Sequence, residues 1–159
     1  MTSWTKGGLS QEVQAFLAGD DLEAAHGFTV LLLSRTGDGW PHLAMLSLGE
    51  LICLDAAKIR LALWPKSTAA DNLADRRQAT LCFVAEGMSY SIRVSTRLLE
   101  IASIAGVGER AFFEGDVDSV GIDSAPYATV ESGVRFRLND AGHTLAIWRK
   151  TRSALKQVE

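Results

Sequence analysis

Residues 59–81 read IRLALWPKSTAADNLADRRQATL, an apolar run that breaks at a proline and restarts as a short helix. Ile59–Trp64 suits a strand, and Pro65 stops it, because proline carries no N–H for a ladder. Thr68 stands three residues before Asp71, a capping-box spacing that predicts a helix over Thr68–Arg77. Ala69, Ala70, Leu73 and Ala74 give that helix a small apolar face. Arg76 and Arg77 fall in its last turn, where the macrodipole favours cations. The start of such a helix offers free N–H groups beside the hydroxyls of Ser67 and Thr68 and the ammonium of Lys66, and that combination suits a phosphate. The same residues equally make an ordinary capped connection that binds nothing.

Upstream, Ser10 is a candidate N-cap for a short amphipathic helix over Gln11–Ala18, followed by the acidic connection Asp20–Glu23. Phe28–Arg35 is a β-rich run ending at the turn cluster Thr36–Gly39, and Trp40–Leu48 resumes as its hairpin partner. Leu51–Leu54 and Ile59–Trp64 read as two further strands, so the first four strands form an antiparallel meander with short turns. Downstream, Ala79–Ala85 and Ser89–Glu100 read as strands across a Glu86-Gly87 turn. Gly106–Val120 reads as a helix with Ala111, Phe112, Phe113 and Val117 as apolar members. Glu131–Leu138 alternates as a strand, and Ala141–Gln157 as a helix with Leu145, Trp148 and Leu155 along one stripe. The sum is at least six strands with a few short helices, which suggests a closed or nearly closed antiparallel barrel in one domain spanning 1–159.

The chain has 159 residues, 47% hydrophobic and 22% charged, with a net charge of −3. That balance argues against nucleic acid as a partner, because phosphate backbones demand concentrated positive charge. No run is long enough to span a membrane, and the polar N-terminus has no apolar signal segment, so the expectation is a cytoplasmic protein. Cys53 and Cys82 lie inside apolar runs as reduced, buried thiols. His26, His42 and His143 share no metal-ligand spacing, so no metal is expected. No phosphate-binding glycine loop and no nucleophile elbow are present, and no catalytic acid or base can be named.

With its segments in this order the chain resembles the pyridoxamine 5′-phosphate oxidase-like family of FMN-binding split barrels. The resemblance is carried by SRTGDGWPHLAMLSL, LALWPKSTAADNL and RRQATLCFVAEGMSYSIRV, and it extends over Gly27–Leu138. It implies a mainly β fold with α, a six- to seven-stranded antiparallel split β-barrel with flanking helices, a homodimer with FMN at the interface and a flavin-dependent oxidoreductase acting on a small molecule. Lys66, Ser67, Thr68 and Asn72 would hold the cofactor phosphate. Ala44, Met45, Leu46 and Ser47, with Leu63 and Trp64, would flank the ribityl chain and the ring system. The strand WPHLAMLSL lacks the arginine of true pyridoxamine phosphate oxidases, and the C-terminus lacks their arginine-leucine-proline ending, so vitamin B6 oxidation is not implied. A non-catalytic module for flavin, a deazaflavin or haem fits the same resemblance.

Overall fold

The computed structural model describes residues 1–19 and 21–159; Asp20, in the acidic connection, lies outside the described residues. Among the described residues the order is β1 (Thr2–Thr5), α1 (Gln11–Ala18), β2 (Val30–Arg35), β3 (Pro41–Leu46), β4 (Leu51–Asp55) and β5 (Lys58–Leu63). There follow α2 (Thr68–Arg76), β6 (Gln78–Ala85), β7 (Met88–Ile104), β8 (Gly108–Asp123) and α3 (Ala141–Gln157). The strands form one antiparallel, eight-stranded sheet in the order β3-β2-β6-β7-β8-β5-β4, with β1 added alongside β8. The ladder does not close between β3 and β4, which makes this a split barrel with flanking helices.

Three expectations need correction. Gly106–Val120 is not a helix but most of β8, which pairs with β7 along one side and β5 along the other. Its residues Arg110–Gly115 are buried in succession because the strand is covered on both faces. Ala111 and Phe113 enter the barrel core, whereas Phe112 joins Ile52, Ala62, Leu155 and Val158 beneath α3. A strand buried on both faces loses the alternation that identifies half-buried strands. Glu131–Leu138 is not a strand. It runs alongside the chain near Gly27, tied by a bridge between Phe28 and Arg135 and by the Phe136 N–H donating to the Gly27 carbonyl at 3.2 Å. The first four strands are two hairpins at opposite ends of the sheet and not a meander, because the Glu50 carbonyl accepts from Ala62 of β5 at 2.8 Å instead of continuing the β3 ladder.

The core fills the barrel with Val30, Leu32, Leu51, Ile59, Leu61, Leu73, Leu81, Ile92 and Phe113. The two-residue turn between β6 and β7 places Glu86 at φ 51° and Gly87 at φ 76°, the left-handed pair that matches hairpin twist. α1 begins at Ser10, whose hydroxyl accepts from the Val13 N–H at 3.3 Å, and α3 begins at Asp140, whose carboxylate accepts from the His143 N–H at 3.1 Å. α3 is held at two points. Arg152, buried, donates to the carbonyls of Leu48, Leu51, Ala18 and Gly19 at 2.6–3.1 Å. Arg60 donates through Nη1 to the carbonyls of Leu155 and Val158 at 2.9 and 2.6 Å. Both guanidiniums occupy carbonyls at helix ends, where orphan acceptors need partners. Among the described residues no helix is long and apolar enough to cross a membrane.

Candidate functional site

The helix predicted after Pro65 exists, but its cap is Ser67 and not Thr68. The Ser67 hydroxyl accepts from the Ala70 N–H at 3.1 Å and donates to the Trp64 carbonyl at 2.8 Å. The first intrahelical bond runs from the Asp71 N–H to the Ser67 carbonyl at 3.1 Å. Thr68 becomes the first helical residue, with its side chain exposed, and Asp71 lies one position too far along to complete a capping box. The N–H groups of Thr68 and Ala69 belong to the first turn and have no carbonyl within the helix to bond. Trp64, Pro65, Lys66, Ser67 and Glu109 line a cleft of about 580 Å³ at this helix start.

Arg110 lies behind the cleft, against the Trp64 ring that lines it, and sequence reasoning missed it. Ala111 of β8 stands opposite Leu63 of β5, so Arg110 is carried to the Trp64 end of the β5–β8 pair. Its guanidinium lies 3.8 Å from the centre of the Trp64 ring, and its Nη1 donates to the Glu109 carbonyl at 2.7 Å. The arginine is only 7% exposed while the indole covering it is 60% exposed. Burial lowers the pKa of Arg110, and the nearby Glu50 carboxylate opposes that shift. The one signal available was register: read as a strand, β8 places Arg110 beside the end of β5, whereas a helical reading does not.

Two of the predicted cofactor residues point elsewhere. Leu63 is 4% exposed, with its side chain in the barrel core, so only its main chain faces outward. Asn72 is buried and donates from Nδ2 to the Ser34 hydroxyl at 2.9 Å, tying α2 to β2 below the helix start. Of the β3 residues, Ala44 packs half-buried against the core, Leu46 and Ser47 are buried, and Met45 is exposed. The structure thus gathers Trp64, Lys66 and Ser67 in one cleft and Met45, Leu46 and Ser47 in another.

The second cleft, of about 400 Å³, is lined by Thr29, Met45, Leu46, Ser47, Glu50, the chain at Val134–Phe136, and Trp148. Its floor is the turn between β3 and β4. Glu50 Oε2 accepts from the Ser47 N–H at 2.6 Å and the Ser47 hydroxyl at 2.9 Å, and the Ser47 hydroxyl accepts from the Gly49 N–H at 3.2 Å. Trp148 of α3 presses on this turn so closely that a Cβ on Gly49 would meet its ring at 2.0 Å. Burial raises the pKa of Glu50; the Ser47 hydrogen bonds and the Arg110 charge pull it back in part. Because Glu50 bonds Ala62 of β5 through its carbonyl and feels Arg110 through its carboxylate, the two clefts are neighbours at the barrel's split.

No protein-family model matches the chain. It is 32% identical over 149 residues to the uncharacterized protein YclD of Bacillus subtilis, covering 94% of this chain and 96% of YclD. Among solved structures it is similar to HupZ of Group A Streptococcus, with a TM-score of 0.53 and 11% identity, covering 81% of this chain and 100% of that one. An FMN-binding protein of Syntrophomonas wolfei is also similar, with a TM-score of 0.45 and 13% identity over 72% of this chain and 92% of the other.

Proposed function

This chain belongs to the family of Bacillus subtilis YclD and is a split barrel of the pyridoxamine 5′-phosphate oxidase-like class, and from that premise we propose that it is an FMN-dependent oxidoreductase acting on a small molecule. The observation that carries the reading is the cleft at the start of α2, where Lys66, first-turn N–H groups and an exposed indole backed by Arg110 stand together, with Glu109 also in the lining. The donor set fits a dianionic phosphate. Lys66 supplies a charge-assisted bond, Arg110 adds positive charge from behind the indole, and the helix start adds N–H donors and its positive dipole end. Trp64 and Met45 offer exposed apolar surface for a flat ring.

When bound, a flavin supplies the electron-transfer chemistry, and the protein supplies seating and electrostatics. Lys66 neutralises the phosphate at the cleft mouth. Arg110, stacked against Trp64, holds the indole in one orientation. The Ser67 hydroxyl donates its hydrogen bond to the Trp64 carbonyl, so its part is to shape the loop, while Thr68 keeps an exposed side chain for the phosphate. The exposed side chains of Trp40, Leu43 and Met45 on and beside the edge strand β3 support a homodimer that covers this face and places the cofactor at the interface.

The test is the visible absorption spectrum of protein taken through gel filtration, with and without added FMN. Flavin bands that stay with the protein are expected. The double variant Lys66→Ala, Arg110→Met is expected to bind FMN at least tenfold more weakly while its far-ultraviolet circular dichroism is unchanged. Equal affinity in the variant would refute the phosphate seat. Haem or deazaflavin bands in the wild type would replace FMN as the cofactor.

A further inference from the structure

We infer that the cleft between the β3–β4 turn, the Val134–Phe136 segment and α3 is a separate seat for a small, flat molecule that presents an N–H donor to Glu50. At about 400 Å³ it has the size of a small-molecule site, and it has the usual make-up of one: mostly apolar walls with a few placed polar groups. Met45, Leu46, Val134, Phe136 and Trp148 supply those walls. Phe136 and Trp148 meet edge to face with ring centres 6.2 Å apart, a geometry that fixes both rings. Gly49 lets the indole close on the turn, so the wall and the floor are locked together.

The polar side chains of the lining are Thr29, Ser47, Glu50 and Arg135, and the carboxylate among them is Glu50. Its Oε2 already takes both donors of Ser47, which fixes the carboxyl group and leaves Oε1 as its remaining acceptor. Thr29, which also lines the cleft, is 4% exposed, and its hydroxyl has no hydrogen-bond partner among the described residues. A buried hydroxyl without a partner is destabilising, and a ligand polar group reached by rotation about χ1 relieves that cost. An acceptor on the floor with flat apolar walls selects a heteroaromatic N–H over its N-methyl analogue, since the analogue leaves the carboxylate desolvated and unpaired. Met45 is shared with the surface proposed for the flavin ring, whereas Glu50, Thr29, Phe136 and Trp148 serve this cleft.

The test uses benzimidazole and 1-methylbenzimidazole at mildly alkaline pH, where both are neutral, followed on the full chain by two-dimensional amide NMR. Benzimidazole is expected to shift the Ser47 amide and the Trp148 indole saturably and to bind at least tenfold more tightly than its methyl analogue. In Glu50→Gln the amide oxygen must stay on Ser47, which turns the free position into a donor. The preference for benzimidazole is therefore expected to vanish in that variant. Thr29→Val is expected to weaken benzimidazole several-fold without lowering the Tm. Absence of saturable shifts, equal binding of the two probes in the wild type, or an unchanged preference in Glu50→Gln would overturn the inference. So would displacement of benzimidazole by FMN, since that places both ligands in one seat; failure to bind FMN at all leaves the inference intact.

Discussion

At the scale of single residues, Gly49, Ser67 and Arg110 each do something their type alone does not announce. Gly49 is fixed by the approach of Trp148, so Gly49→Ala forces the indole or the turn to move. Overpacking of this sort costs about 1–3 kcal/mol, and guanidinium unfolding should show a midpoint lowered accordingly with the slope unchanged. Ser67→Ala removes the cap of α2 and should cost about 1 kcal/mol in the same assay. Because the Ser67 proton is committed to the Trp64 carbonyl, that variant should lose stability more than it loses phosphate affinity. The reverse is expected of Lys66→Ala, whose side chain is exposed and supports no other element. Lys66, Ser67 and Thr68 could be named from sequence because they adjoin a proline and a helix start. Arg110 could not, because its partner Trp64 is 46 positions away and only the β5–β8 register brings the two together.

At the scale of elements, α3 is the piece on which the second cleft depends. Its buried face carries Leu145, Trp148, Thr151, Arg152 and Leu155, and Arg152 alone bonds carbonyls from the end of α1 and from both sides of the β3–β4 turn. Arg152→Met keeps much of the volume but strands those carbonyls in a dry interior. A loss of about 3 kcal/mol or more is expected, together with weakened order at the turn, readable as faster amide exchange at Leu48–Leu51. The stripe Leu145, Trp148, Leu155 was visible as a period of helical turns; the presence of an arginine within it was not a sign of exposure, because the positive side chain meets carbonyls instead of water. β8 illustrates the opposite failure. Its apolar cluster at Ala111–Phe113 imitates a helix face, and only its double ladder with β5 and β7 reveals a strand.

At the scale of the whole molecule, Glu114 links the sheet to its charge balance. It is 4% exposed and accepts from Arg97 at 2.7 Å, Arg60 at 3.0 Å and Lys58 at 3.2 Å. Burial pushes its pKa up, but the three cations outweigh burial and bring it from the usual 4.5 down to about 2. A carboxylate depressed in this way stabilises the fold fully above about pH 4.5, and that contribution is lost as the pH falls towards 2. Acid unfolding should therefore steepen within that window, and Glu114→Gln should flatten it. The variant should also cost about 3 kcal/mol at neutral pH, because its partners, Arg60 above all, are left without their counter-charge. Arg60 also holds the end of α3, so the same substitution should loosen the C-terminal turn.

The split-barrel class was legible by resemblance; the sequence by itself determined both terminal-region helices, the proline break and the helix that follows it. Each of those is written in local chemistry: a missing N–H, a capping hydroxyl, an apolar stripe of helical period. The tertiary structure alone decided that β8 is a strand, that Asn72 and Leu63 face inward, and that Arg110 and Glu50 come near enough to feel each other's charge. Those outcomes depend on which distant segments pair and in what register, and a register is set by packing both faces of a sheet at once, which no single stretch of the chain records.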